Sequence, residues 1–315
     1  MKSNYAPIVL FVYARPHHTR CVIEALLKND LANHSDLYIY ADGPKKTATE
    51  QVRKNIQLVR EYIHTIVGFN SVTIIEQQSN KGLDPSEIDA ITEIVEKYGK
   101  VIALEDDIIP HPYFLRFMND ALAFYENNKR VYAVGSYSPK LPFLQSIESD
   151  VYVSYRCESC GWATWQDRWT QCNWDIHTYD IVQHPMAYKI FRYNRGGGDL
   201  YDSLMDVVES RTDAWDARWQ HCLYLHNAVC VRPTRSLSYN IGFDGTGVHC
   251  GTVQSYETSI WMPDMYDKPQ YNFSFSRCTY VSPSIVCKMR NFYRYDKTPW
   301  WIKLKRKIKR FLFAK

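Results

Sequence analysis

The chain has 315 residues, of which 45% are apolar and 23% are charged, a composition typical of a globular protein. This length suffices for one large hydrophobic core or two smaller ones, and the composition argues against extensive disorder. The nine cysteines follow no small-secreted-domain pattern, so we expect reduced thiols. The sequence contains no run of about 18 uncharged apolar residues and no secretory signal pattern, so we expect a cytoplasmic protein.

The net charge of +4 is concentrated at the carboxyl end of the chain. Eight basic residues and no acidic ones lie between Lys297 and Lys315, so the rest of the chain is net acidic, which argues against nucleic-acid binding. Aromatic and aliphatic residues alternate with these basic residues, a pattern typical of a basic amphipathic helix. The sequence therefore predicts a tail over 291–315 that either lies peripherally on an anionic membrane surface or forms a solvated terminal helix.

The first part of the sequence alternates between short apolar runs and segments with helical spacing. In chain order the pattern predicts a strand over 8–13, a helix over 20–28, a strand over 37–40, a helix over 50–66, a strand over 72–75, a helix over 86–98, a strand over 101–104, a helix over 113–125 and a strand over 131–134. Strands that are apolar on both faces and separated by helices indicate a Rossmann-like, doubly wound, mostly parallel α/β sheet.

Beyond about Pro139 this alternation gives way to irregularly spaced aromatic residues and a Gly196-Gly197-Gly198 loop. We expect the segment 140–290 to pack onto the open side of the sheet within the same domain as 1–139. It would then supply the second wall of a cleft.

Polar side chains follow the predicted strands at the points where those strands end. Arg15 follows the first strand, Asp42 the second, a loop over 77–82 that contains Lys81 the third, and Glu105-Asp106-Asp107 the fourth. In a parallel α/β sheet, ligands bind beyond the carboxyl ends of the strands. These residues are therefore the candidates for a binding site.

Glu105-Asp106-Asp107 places three adjacent carboxylates directly after a buried strand, where they repel one another. A divalent cation would resolve this repulsion, since Mg²⁺ and Mn²⁺ prefer hard oxygen ligands and often take only one or two carboxylates from a protein. We expect Asp107 to be the direct metal ligand, and alternation along the strand end to turn Asp106 the other way. The simpler alternative is a solvated strand-to-loop turn.

Four blocks of the sequence resemble GT-A fold glycosyltransferases, more specifically the family of N-acetylglucosaminyltransferase I and its bacterial relatives. The blocks are Val9–Leu27, Val101–Phe117, Tyr155–Trp169 and Arg232–Gly251. Together they cover roughly residues 7 to 255. The resemblance implies a GT-A fold and inverting transfer of a sugar from a nucleotide-diphosphate donor, expected to be UDP-linked. It also implies a divalent metal, commonly Mn²⁺ and otherwise Mg²⁺.

The resemblance also implies roles for Arg15 and Asp42, and the positions of Lys81, Glu105, Asp106 and His249 in the sequence suggest roles beside them. Arg15 and Asp42 would contact the nucleotide, Asp42 through the base, and Lys81 would join them in donor binding. Glu105 would lie near the sugar, and Asp106 near the ribose or water. His249, in a glycine-rich segment, would reach the diphosphate or complete the metal shell. The alternatives are surface charges for Arg15 and Asp42 and an ordinary loop histidine for His249.

The family's catalytic base is an aspartate in a Trp-Asp motif, and Trp215-Asp216 matches it. The motif here is one residue longer before its second tryptophan than we expect, so Asp213 remains a rival. A further alternative for Asp216 is an ordinary aspartate at a helix N-terminus. Trp162 and Trp165 are candidates for an acceptor-binding platform, although several tryptophans must belong to the core.

The sequence therefore predicts a metal-dependent inverting glycosyltransferase, in the hexosyltransferase class. Residues 1–139 would bind the nucleotide sugar and 140–290 the acceptor, a glycan or lipid-linked glycan in bacterial surface polysaccharide synthesis. The alternatives are a sugar nucleotidylyltransferase, which would ordinarily carry a Gly-rich basic loop after the first strand, and a non-catalytic carbohydrate-binding protein.

Overall fold

A large mixed β-sheet forms the centre of the computed structural model, which describes residues 5–175, 186–245 and 272–293. Its strands in chain order are β1 (Ile8–Val12), β2 (Asp36–Ala41), β3 (Ser71–Glu76), β4 (Lys100–Glu105), β6 (Val131–Gly135), β7 (Val151–Ser154), β8 (Trp162–Trp165) and β9 (Val229–Pro233). Their order across the sheet is β3-β2-β1-β4-β8-β6-β9-β7. A separate pair joins β5 (Ile108–Pro110) to β10 (Ser238–Asn240) in antiparallel register.

The first four strands run parallel, as their sequence pattern predicts. They are connected by α1 (Pro16–Leu27), α2 (Glu50–Ile63) and α3 (Leu83–Tyr98), and α4 (Phe114–Tyr125) precedes β6. Alternate side chains of β1 lie on opposite faces of the sheet. Ile8, Leu10 and Val12 join one core cluster with α1, α2 and α4, while Val9 and Phe11 join a second cluster with α3. Burial on both faces explains why β1 is uniformly apolar, whereas β3, at the edge of the sheet, is partly exposed and carries polar residues.

The described part of the second half contributes four strands that its irregular spacing does not predict, β7, β8 and β9 in the large sheet and β10 in the small one. β8 lies antiparallel between β4 and β6, and β7 lies antiparallel at the edge beside β9. The two halves therefore share one sheet, and the second half does more than cover its open side. The sequence pattern does not predict β8, because its four residues are all buried and include two tryptophans. The polar-apolar alternation of a surface strand is therefore absent.

Within its described residues, the second half contains the α-helices α5 (Gln166–Trp169), α6 (Met186–Tyr193), α7 (Leu200–Val208), α8 (Trp215–Leu225) and α9 (Pro283–Phe292). α8 packs against α3 and α7. Among the helices that the structure describes, none combines the length and the apolar character needed to cross a membrane. The eight cysteines within the described residues are all free thiols, as expected.

Candidate active site

Arg15 and the acidic triplet meet at the carboxyl edge of the sheet because β1 and β4 are neighbouring parallel strands. Phe11 lies opposite Glu105 in the register, so the residues that follow both strands emerge side by side. Arg15 Nη1 donates a hydrogen bond to Asp107 Oδ2 at 2.9 Å, and Arg15 Nη2 donates to Asp106 Oδ1. One guanidinium group therefore bridges both aspartates.

Both aspartates are buried, each with 4% of its surface exposed. Burial alone would lower the pKa of Arg15, but the charges of Asp106 and Asp107 outweigh it and raise that pKa. Burial raises the pKa of Asp106 against the opposing effect of Arg15. Asp106 Oδ2 and Asp107 Oδ1 still have no hydrogen-bond partner among the described residues. Buried carboxylate oxygens of this kind normally pair with a donor or a cation.

The expectation that strand alternation turns Asp106 away from Asp107 is wrong. β4 ends at Glu105, and both aspartates lie in the turn that follows. Alternation applies only within a strand, so the turn is free to direct both carboxylates toward Arg15.

Glu105 interacts electrostatically with these aspartates and with Asp216, which comes from a distant part of the chain. Burial, followed by the charges of Asp107, Asp106 and Asp216, raises the pKa of Glu105 to about 8. Asp216 is exposed in the first turn of α8, and its Oδ1 accepts a hydrogen bond from the Ala217 N–H at 2.9 Å. The fold thus brings Asp216 to the carboxylate cluster at the sheet edge.

An ion pair between α3 and α8 holds Asp216 at this position. Asp84 in the first turn of α3 pairs with Arg218 of α8 and also accepts a hydrogen bond from the Trp215 backbone. Arg218 Nη2 lies 3.6 Å from Asp213 Oδ1, and the Asp213 side chain is 87% exposed. The structure therefore places Asp213 at the surface before α8, whereas Asp216 interacts electrostatically with Glu105.

Glu87 belongs to the same cluster, and the sequence did not identify it. It lies on α3 one turn after Asp84, and 1% of its surface is exposed. Burial, followed by the charges of Glu105 and Asp216, raises the pKa of Glu87 well above its ordinary value. The sequence pattern predicts a helix from residue 86, whereas α3 begins at Leu83. An earlier helix start would have placed Asp84 and Glu87 on one face at the sheet edge.

Asp42 and Lys81 lie at the same edge but already have partners within the protein. The Asp42 carboxylate accepts hydrogen bonds from the backbone N–H groups of Gly43, Lys81 and Gly82 and from the side chain of Asn80. Asp42 thereby orders the loop that leads into α3, a role that its sequence position did not reveal. The Lys81 ammonium group pairs with Asp89 on the surface.

The segment after β10 packs closely against Asp107. The Ile241 N–H donates to the Asp107 carbonyl oxygen at 2.9 Å, and a Cβ atom at Gly242 would lie 2.2 Å from Asp107 Oδ2. A larger residue here would displace the Asp107 carboxylate from its position beside Arg15. His18 Nε2 of α1 lies 3.3 Å from Asp244 Oδ2, which links α1 to the same segment. The sequence blocks had included this segment, but not His18 as a member of the site.

Trp162 and Trp165 do not form an acceptor platform. Only 1% of Trp162 and 3% of Trp165 is exposed, because both lie in the interior strand β8. Trp162 stacks on Trp215 with 5.1 Å between ring centroids, and Trp165 Nε1 donates to the Leu122 carbonyl at 3.2 Å. Both are therefore core residues: Trp162 packs against α8, and Trp165 packs on the other face of the sheet, beneath α4. His249, the remaining predicted donor-binding residue, lies outside the described residues, as does the basic tail from residue 294 onward.

The carboxylates at the edge fit a divalent cation of the expected kind. The partnerless Oδ1 of Asp107 and Oδ2 of Asp106 are hard oxygen atoms suited to Mn²⁺ or Mg²⁺. Across residues 5–175, 186–245 and 272–293, no three His, Cys, Asp or Glu side chains are arranged to hold a metal ion together. A cation here would therefore take one or two carboxylates from the protein and its other ligands from phosphate or water.

No family model and no curated protein sequence matches the chain. Among solved structures, it is similar to S. aureus TarS 1-349, with 13% identity, a TM-score of 0.44, and coverage of 75% of this chain and 60% of that one. Full S. aureus TarS gives 13% identity, a TM-score of 0.43, and coverage of 75% and 36%. The mannosyltransferase PcManGT from Pyrobaculum calidifontis, solved with GDP-Man and Mn²⁺, gives 10% identity, a TM-score of 0.39, and 72% coverage of both chains.

The chain thus spans 60% of the length of TarS 1-349 and 36% of full TarS. Identities of 10–13% and TM-scores below 0.5 show no function for this chain, because one fold can host many functions.

Proposed function

We propose that this chain is a metal-dependent inverting glycosyltransferase of the GT-A type that transfers a sugar from a nucleotide-diphosphate donor to a hydroxyl group. The observation that carries the proposal is the partnerless Oδ1 of buried Asp107, held beside Arg15 at the carboxyl edge of a mostly parallel sheet. This edge is where α/β sheets bind phosphorylated ligands. The donor is expected to be UDP-linked, and the resemblance to the N-acetylglucosaminyltransferase I family belongs to the same proposal.

Arg15 and Asp107 form the part of the site that would receive the diphosphate. The guanidinium group of Arg15 has the fork geometry that binds phosphate oxygens in pairs. Asp107, with Asp106 beside it, would hold the divalent cation. When bound, such a cation neutralises the charge that develops on a departing nucleoside diphosphate.

Asp216 is the residue proposed to accept the proton of the acceptor hydroxyl. Inverting transfer needs a base on the face of the sugar opposite the leaving diphosphate. The structure supports this role because Asp216 is exposed and interacts with Glu105 from the first turn of α8, across from the sheet edge. Glu105 would lie near the transferred sugar. Asp213, at the surface before α8, remains the alternative base.

Asp42, Lys81 and His249 complete the proposed donor site. Asp42 would contact the base while ordering the loop over 80–82. The acceptor would be a glycan or a lipid-linked glycan of a bacterial surface polysaccharide. The basic tail would then hold the protein on the anionic face of the membrane that carries that acceptor.

A screen of nucleotide sugars with the purified protein tests the proposal, with Mn²⁺, with Mg²⁺ and with a chelator. We expect slow hydrolysis of one donor class that depends on the cation, and release of a nucleoside diphosphate. Release of pyrophosphate from a nucleoside triphosphate and a sugar phosphate would instead indicate a nucleotidylyltransferase. Glycan binding without any nucleotide binding would indicate a carbohydrate-binding protein.

A further inference from the structure

Two arginines lie at the edge of the sheet opposite the carboxylate cluster. The first, Arg130, directly precedes β6, and β6 runs parallel to β4 because β8 lies antiparallel between them. Arg130 is therefore at the opposite edge from Glu105, and the proposed glycosyl transfer gives it no role. The Val229 N–H donates to the Arg130 carbonyl oxygen at 3.0 Å, which brings Asn227, just before β9, beside Arg130.

Asn227 and Tyr155 bridge the guanidinium groups of Arg130 and Arg195, the second arginine, which follows α6. Arg130 Nε donates to the Asn227 carbonyl oxygen at 3.5 Å, and Arg195 Nη2 donates to Asn227 Oδ1 at 3.0 Å. Arg130 Nη2 donates to the Tyr155 hydroxyl at 3.4 Å, while the guanidinium of Arg195 lies 3.7 Å from the centroid of the same ring. The two cations are therefore held close together by the same two residues.

The surroundings of this arginine pair are positively charged. Within the part of the chain that the structure describes, neither Arg130 nor Arg195 forms an ion pair with a carboxylate. Burial lowers the pKa of Arg195, and the charges of Arg192 and Arg130 lower it further. By contrast, Arg156 and Arg218, which are also partly exposed, pair with carboxylates. The like charges of the pair thus repel one another without an acidic group to offset them.

Both guanidinium groups keep hydrogen-bond donors for a ligand from solution. A guanidinium carries five N–H donors, and the contacts of Arg130 and of Arg195 use two on each. The Tyr155 hydroxyl accepts from Arg130 and keeps its own O–H to donate. Both arginines are partly exposed, so an anion can reach them. The pair therefore presents converging donors and an uncompensated positive charge.

We propose that Arg130, Arg195 and Tyr155 form a binding site for a phosphate group, separate from the proposed donor site. A phosphate group carries several strong acceptor oxygens, enough to take N–H groups from both arginines and the O–H of the tyrosine. Its negative charge offsets the repulsion between the two guanidinium groups. Inorganic phosphate and the phosphate of an anionic lipid headgroup share this chemistry, and the experiments below distinguish the two sources.

NMR titration of the full-length protein with inorganic phosphate tests the proposal, with sodium chloride of equal ionic strength as the reference. We expect the side-chain Nε–H signals of Arg130 and Arg195 to shift together, with one dissociation constant. The signal of Arg211 should shift no more with phosphate than with chloride. Arg211 is the matched control because it is exposed and already pairs with Asp206 and Glu209.

The variants Arg130→Gln and Arg195→Gln should each weaken phosphate binding at least about fivefold, because each removes a charge and its hydrogen bonds to the anion. The signal of the remaining arginine reports this affinity. The affinity for a nucleoside diphosphate should stay unchanged, since the proposed donor site lies at the opposite edge of the sheet. Arg211→Gln should leave both affinities unchanged.

Cosedimentation of the full-length variants with phosphatidylglycerol vesicles identifies the source of the phosphate. If the site holds a lipid headgroup, Arg130→Gln should weaken vesicle binding at least about threefold and Arg211→Gln should not. If it holds a free phosphate, both variants should bind vesicles as the unmodified protein does. Either result supports the site when the two arginine signals shift together. Signals that do not shift, or that shift equally with chloride, would overturn it without any variant. Unchanged phosphate affinity in both folded variants would also overturn it.

Discussion

The guanidinium of Arg15 holds the carboxylate of Asp107 through a hydrogen bond from Nη1 to Oδ2 at 2.9 Å. The guanidinium group therefore occupies a position in which a metal cation would offset the negative charge of Asp106 and Asp107. A divalent ion that binds Asp107 competes with Arg15 for the same carboxylate, and a bound diphosphate would give Arg15 a new partner. Replacing Arg15 should therefore raise the affinity for the metal and lower the affinity for the donor.

Arg15→Ala should bind Mn²⁺ more tightly than the unmodified protein when no donor is present, on the order of tenfold, because the competing guanidinium is gone. The same variant should bind the nucleotide donor more weakly, since a phosphate contact is lost. Calorimetry with Mn²⁺ alone and with donor alone measures the two effects. Asp107→Asn is the comparison and should lose affinity for Mn²⁺. Weaker Mn²⁺ binding in Arg15→Ala would contradict the competition.

Gly242→Ala should weaken Mn²⁺ binding on the order of tenfold with only a small change in thermal stability. The new Cβ atom would lie 2.2 Å from Asp107 Oδ2, the end of a side chain that can move aside while the backbone stays in place. Gly135→Ala is the control, because its Cβ would meet Cys230 Sγ at 3.5 Å, an ordinary contact. Mn²⁺ titration and thermal unfolding measure the two effects. Unchanged Mn²⁺ affinity in Gly242→Ala would exclude Asp107 as the metal ligand.

Asp216→Asn should retain donor binding and lose transfer by about 10²- to 10⁴-fold, the usual effect of removing a general base. Asp213→Asn should transfer at nearly the normal rate, because the Asp213 side chain is 87% exposed and lies before α8. Single-turnover assays with donor and acceptor, together with calorimetry, separate chemistry from binding. The reverse pattern of losses would assign the base to Asp213.

Folding stability should fall as the pH drops below about 6.5, in part because of His111. Burial lowers the pKa of His111 from 6.5 to about 4, so the unfolded chain binds a proton in this range that the folded chain does not. The contribution of neutral His111 to the free energy of unfolding is fully present above pH 6.5. It is lost as the pH falls through 4, by about 3 kcal/mol in total. Denaturant unfolding of His111→Gln between pH 7 and pH 4 should show a smaller loss.

His64→Gln is the matched control for this experiment, because His64 is exposed. Its unfolding free energy should follow the pH dependence of the unmodified protein. If His111→Gln loses as much stability between pH 7 and pH 4 as the unmodified protein does, buried His111 is not responsible.

Removing residues 294–315 should abolish binding to vesicles that contain anionic lipid and leave nucleotide binding unchanged. Each lysine or arginine near an anionic surface contributes about 1 kcal/mol, and the effect weakens as salt rises. Cosedimentation with phosphatidylglycerol vesicles, compared with purely zwitterionic vesicles, provides the measurement. Equal binding of the full-length and shortened chains would show that the tail is not the membrane anchor.

The sequence by itself determined the parallel first half of the sheet and the place of its functional edge. Apolar runs such as 101–104 predict strands because burial on both faces demands apolar side chains throughout. Topology then dictates that Arg15 and Glu105-Asp106-Asp107 emerge together, which the register of β1 and β4 confirms. These predictions rest on local patterns and on general rules for parallel sheets.

Only the tertiary structure decided which distant residues join that edge. Glu87 and Asp216 come together because an ion pair between Asp84 and Arg218 joins α3 to α8. A local sequence pattern does not predict a contact between residues so far apart in the chain. The sequence also did not predict that Trp162 and Trp165 are buried, because tryptophan is common both in hydrophobic cores and in sugar-binding platforms. Periodicity describes the neighbours of a residue along the chain, whereas a site depends on its neighbours across the fold.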